Sequence, residues 1–135
     1  MENININHLA VVVAALSTFL LGGLWYSPIL FGKAWQTESK LSDEEIKSAN
    51  MVKVFGLSFV FSLIMSYNLA FFLADPSVEL KMGALYGFLT GFGWVMMAIG
   101  VISLFEQRSW KYIFINGGYM TVSFTLMGAI LGVWK

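Results

Sequence analysis

The sequence has no cysteine, one histidine and two prolines, and only 12% of its 135 residues are charged. Without cysteine there are no disulfides, no thiolate nucleophile and no Cys-ligated metal. The lone imidazole, His8, would have to recruit carboxylates such as Asp75 or Glu79 to hold zinc or haem, so no metal and no cofactor are expected. No Gly-x-Ser-x-Gly string is present, and His8 would be the only imidazole base for a serine nucleophile. With acid, base, nucleophile and metal sets all incomplete, an enzyme is not expected. Charge is balanced as well as scarce. Eight Lys+Arg against eight Asp+Glu give a formal net charge of zero, and no basic run is available to meet a nucleic-acid backbone.

What fills the chain instead is apolar: 58% of the residues are hydrophobic, against about 45–50% in an ordinary soluble domain. A helix needs about 20 apolar residues to cross a bilayer, and four such runs fall at about 9–31, 51–74, 82–105 and 110–134. They leave no room for a separate soluble domain. The expected fold is all-α, with residues 1–135 forming one polytopic membrane domain. Its connections are too short to cross back, so it should be an antiparallel bundle of four transmembrane helices. The first run is read as a span rather than a signal peptide, because Met1 to His8 has no Lys or Arg and no Ala-x-Ala-like site precedes Trp25.

The connection between the first two spans is the one sizeable polar segment. Within it, Ser42-Asp43-Glu44-Glu45 reads as a capping box. Nothing in Ile46 to Val54 reads as a breaker, so the second helix is expected to start near Ser42 and run unbroken into the membrane to Ala74, as a cytoplasmic extension. At its far end Asp75-Pro76 reads as the start of the third helix. Orientation follows from the basic residues. Lys33, Lys40, Lys47, Lys53, Arg108 and Lys111 flank one face, against Lys81 and Lys135 on the other, which places both termini outside a cytoplasmic (inner) membrane.

Three features stand out as candidate sites. Where the first span meets the interface, Trp25, Tyr26, Ser27, Pro28, Gly32, Lys33 and Trp35 combine ring anchors with a proline. That proline frees the Leu24 carbonyl, so the segment reads either as a membrane anchor or as a kinked binding site. Two amides lie inside the membrane runs, Asn68 beside Tyr67 and Asn116 before Gly117-Gly118-Tyr119. They read as helix-to-helix hydrogen bonds or as ligand-facing positions. Small residues recur every fourth position, as Ser58, Ser62 and Ser66 on the second span and Gly83, Gly87 and Gly91 on the third. Such stripes let backbones touch, either within the hairpin of these two spans or between protomers of a homo-oligomer.

The strings Leu24-Trp25-Tyr26-Ser27-Pro28, Phe31-Gly32-Lys33-Ala34-Trp35, Phe105-Glu106-Gln107-Arg108-Ser109-Trp110, Ile115-Asn116-Gly117-Gly118-Tyr119 and Gly128-Ala129-Ile130-Leu131 resemble those of a family of small bacterial membrane proteins, domain of unknown function 1761. The resemblance spans nearly the whole chain. It implies a four-span integral membrane protein and supplies no catalytic residue, cofactor or activity. The leading expectation is a homo-oligomeric pore or uncoupled carrier for a small solute, suggested by the small-residue stripes, the uncharged polar positions in the spans and the absence of a soluble domain; it is uncoupled because no Asp, Glu, Lys or Arg lies deep in a span. The alternative is a non-transport accessory or lipid-contacting protein that docks a partner through its cytoplasmic face. The bilayer is the one partner the residues specify; they name no protein partner.

Overall fold

The computed structural model describes residues 4–135; the first three residues of the Met1–His8 stretch lie outside the described residues. Among the described residues, four helical stretches are long and apolar enough to cross a membrane: His8–Trp25, Met51–Phe72, Leu80–Phe105 and Trp110–Val133. They are α1 (His8–Trp25), α4 (Met51–Phe72), the third span made of α5 (Leu80–Thr90), a π segment (Gly91–Met96) and α6 (Met97–Phe105), and α7 (Trp110–Val133). Two shorter helices, α2 (Gly32–Ser39) and α3 (Asp43–Ser48), fill the first connection.

Side-chain caps set the starts. Asn7 accepts from the Ala10 N–H, Asn50 from the Lys53 N–H and Ser109 from the Tyr112 N–H, at 3.1, 3.2 and 3.1 Å, each satisfying a donor that the first turn leaves open. The capping box at Ser42 is formed, with Ser42 Oγ accepting from Glu45 N–H at 3.0 Å and Glu45 Oε1 from Ser42 N–H at 3.2 Å.

Three boundaries differ from the sequence expectation. The second span does not run unbroken from Ser42. Ala49 is extended, with ψ of 142°, and Asn50 caps a new helix, so the polar helix α3 is a separate piece. The first span ends at Trp25 rather than Phe31. After the ring-locked Pro28 the chain folds back, and the Phe31 N–H reaches the Trp25 carbonyl at 3.0 Å. Finally, Asp75-Pro76 does not open the third helix. Asp75 Oδ1 accepts from both the N–H and hydroxyl of Ser77 at 2.8 Å, closing a local turn, and the helix begins after Glu79.

The packing is centred on α7. α1 packs against α7 and α4, whereas the third span packs against α7 along its length. The buried apolar cluster accordingly joins Ala10, Val11 and Ala14 to Leu69, Leu73, Phe124, Met127 and Leu131. The two small-residue stripes do not meet in a hairpin. A Cβ on Gly83 would lie 3.1 Å from the Gly132 Cα, one on Gly87 2.8 Å from the Phe124 carbonyl carbon, and one on Gly91 2.8 Å from the Thr121 Cα, so this stripe lies on α7. On α4, Ser62 and Ser66 are buried, and Ser66 Oγ donates to the Val11 carbonyl of α1 at 2.8 Å. Ser58 is exposed. The physical reason is that close approach needs small residues on both partners, and α7 supplies Gly128 and Gly132 to the third span. The second and third spans, adjacent in sequence, are left apart.

Candidate functional site

The interfacial residues of the first span converge on α7. Trp25 Nε1 donates to the Ile115 carbonyl at 2.9 Å, Tyr26 Oη to Asn116 Oδ1 at 2.6 Å, and Tyr119 Oη to the Thr18 carbonyl at 2.8 Å. Their rings pack together: Tyr26 lies edge-on to Trp35 at 5.5 Å and to Tyr119 at 5.3 Å, and Trp25 tilts against Phe31 at 4.8 Å. Glycines make the approach possible. A Cβ on Gly118 would touch the Trp25 ring at 3.2 Å, one on Gly22 would press on Tyr119 Oη at 2.9 Å, and one on Gly32 would lie 2.5 Å from the Tyr26 carbonyl oxygen.

The carbonyl freed by Pro28 does not remain open. Leu24 O accepts from the Ser27 hydroxyl at 2.7 Å and the Ser27 N–H at 3.2 Å. This cluster therefore works as a lock between the first and fourth spans, its hydroxyls and indole spent on protein acceptors. Pro28 and Lys33 are exposed at its edge, while Gly32 is buried beneath it. The lock extends outward through α2, where Glu38 accepts from the hydroxyl of Ser109, the cap of α7.

Asn68 stands apart from the lock. It is exposed on α4, and its amide donates to the Ile64 carbonyl of its own helix at 2.9 Å. It lines a groove of about 790 Å³ between the second and third spans. One wall is Asn68 and Phe72 of α4, the other is Tyr86, Leu89 and Thr90 of α5 with Trp94 of the π segment, and Phe124 of α7 forms the floor. Asp75 and Ser77 stand at its mouth. The Ser77 N–H and then its hydroxyl hold the Asp75 carboxyl below the ordinary 3.8, with a smaller contribution from the Lys135 charge. Lys135 Nζ donates to the carbonyls of Leu73 and Asp75 and so closes the end of the turn; partial burial lowers its own pKa, against the pull of Asp75.

Of the residues flagged in the sequence, the structure brings Trp25, Tyr26, Trp35, Asn116 and Tyr119 together and places Asn68 on the groove wall. Tyr86, Thr90, Trp94 and Phe124 were not singled out. A signal was present in the four-residue spacing of Tyr86, Thr90 and Trp94, which puts a polar and aromatic stripe on the third span beside its glycine stripe. The π segment that carries Trp94 widens the helix there, a form that recurs at functional sites.

Among comparisons with known proteins, the family model described as Protein of unknown function (DUF1761) matches residues 9–132. No curated protein and no solved structure matches the chain.

Proposed function

The chain belongs to that family, and from this premise we propose that it is a non-enzymatic, lipid-contacting membrane protein whose groove between the second and third spans takes an amphiphile from the bilayer. The groove itself carries the reading. It is about 790 Å³, the size of a ligand cleft, and its walls are apolar with a few polar groups at fixed points. Those polar groups are Asn68, Tyr86, Thr90 and, at the mouth, Asp75 and Ser77. In this reading successive spans run antiparallel, and α2 and α3 lie on the cytoplasmic side with most of the basic residues. The groove then opens toward the outer leaflet at Asp75. Native mass spectrometry of detergent-purified protein tests it. The wild-type chain should retain one amphiphile, and Leu89→Trp, which fills the groove, should lose it.

A homo-oligomeric pore is the second reading, favoured by one observation. On α4, Gly56 has nothing within 4 Å of where a Cβ would sit, so the helix backbone there is open to close approach by another copy. Solute flux through reconstituted liposomes, downhill and independent of an imposed pH gradient, is its signature.

A further inference from the structure

Resting on the groove reading above, we propose that the occupant is a phospholipid with a primary ammonium headgroup, an ethanolamine lipid, its ammonium on the Asp75 carboxylate and an acyl chain lying between α4 and α5 toward Trp94 and Phe124. The charge pattern of the groove selects this headgroup. Asp75 is the one carboxylate, and the one Asp, Glu, Lys, Arg or His, among the residues that line it. Among the described residues no Lys, Arg or His nitrogen lies within 4.0 Å of that carboxylate. Lys135, the nearest cation, spends its Nζ on the backbone carbonyls of Leu73 and Asp75 instead.

Both bonds from Ser77 go to Oδ1, and among the described residues no donor reaches Oδ2. A primary ammonium fills that acceptor with an N–H, whereas a quaternary choline has none to give. The carboxyl is ionised at neutral pH, since Ser77 holds it below the ordinary 3.8. Below the mouth the lining turns apolar through Phe72, Leu89 and Phe124, which suits an acyl chain and rejects a headgroup.

The test is lipid competition on the intact chain. Purified protein is equilibrated in detergent with equal amounts of phosphatidylethanolamine, phosphatidylcholine and phosphatidylglycerol of the same acyl chains, and retained lipid is read by native mass spectrometry. The ethanolamine lipid should be retained about threefold over either competitor, the scale an exposed ion pair supports. Asp75→Asn keeps the oxygen that accepts from Ser77 and so keeps the turn; it should bring the ratio to about one. Asp75→Lys should turn the preference toward the glycerol lipid. Equal retention of all three by the wild-type chain overturns the headgroup assignment. If Leu89→Trp still removes that lipid, the groove reading stands without it. Retention that Leu89→Trp does not change overturns both.

Discussion

At the scale of single residues, three side-chain hydrogen bonds join the first span and its end to the fourth. Tyr26 and Asn116 are 90 positions apart and meet at 2.6 Å, and in a membrane such a pair is worth about 0.6 kcal/mol on average. A double-mutant cycle of Tyr26→Phe and Asn116→Ala should return a coupling of about that size in unfolding from mixed micelles. Additive losses would mean that the two side chains do not share a bond in solution. The residue types of this lock were legible: tryptophan and tyrosine at a span end, and an amide beside two glycines. What they bond to was not legible, because an aromatic anchor and an interhelical lock use the same residues. Only the tertiary approach of Ile115, Asn116 and Thr18 separates the two. For the same reason the carbonyl freed by Pro28 read as open until Ser27 was seen to fill it.

At the scale of elements, local signals were readable and pairings were not. The capping box at Ser42 forms because its partners lie three residues apart. The break before α4 obeys the same rule through Asn50 and Lys53, although the apolar pattern on either side had suggested one continuous helix. A glycine stripe states that something approaches closely and not what. Gly83, Gly87 and Gly91 would serve against either neighbour, and the matching glycines at 128 and 132 decide for α7. The π segment has no signature in the sequence beyond its two glycines. A Cβ on Gly87 would press into the backbone carbonyl of Phe124, which cannot move aside as a flexible side chain would. Gly87→Ala should therefore destabilise the protein by about 1–3 kcal/mol, the range of overpacked cores. Gly56→Ala, with open space at the same atom, should be neutral or slightly stabilising. Equal behaviour of the two variants in thermal unfolding would contradict the third–fourth span contact.

At the scale of the whole molecule, four spans arranged around α7 do not close on themselves, and the groove is the consequence. Because α4 leans on α1 and the third span leans on α7, the hairpin that joins α4 to α5 spans an opening instead of a contact. Span number was legible in hydropathy alone; this opening depends on which partner each stripe chooses. In the orientation proposed above, the groove mouth faces the outer side. Since the chain has no cysteine, single substitutions report it cleanly: Glu79→Cys should label with an impermeant thiol reagent added to intact cells, and Lys40→Cys should not. The reverse pattern would move the mouth to the inner leaflet without altering the groove.

The central claim is that an amphiphile occupies the space between the second and third spans, and photochemical crosslinking addresses it most directly. A phospholipid with a photoreactive group in its acyl chain is bound in liposomes, loosely held lipid is washed away in detergent, and the sample is irradiated and digested. Label concentrated on residues 64–73 and 86–95, and lost in Leu89→Trp, is the result expected. Label spread equally over the exposed faces of all four spans, including Val101, Ile102, Phe105 and Val122, or unchanged in Leu89→Trp, would contradict it.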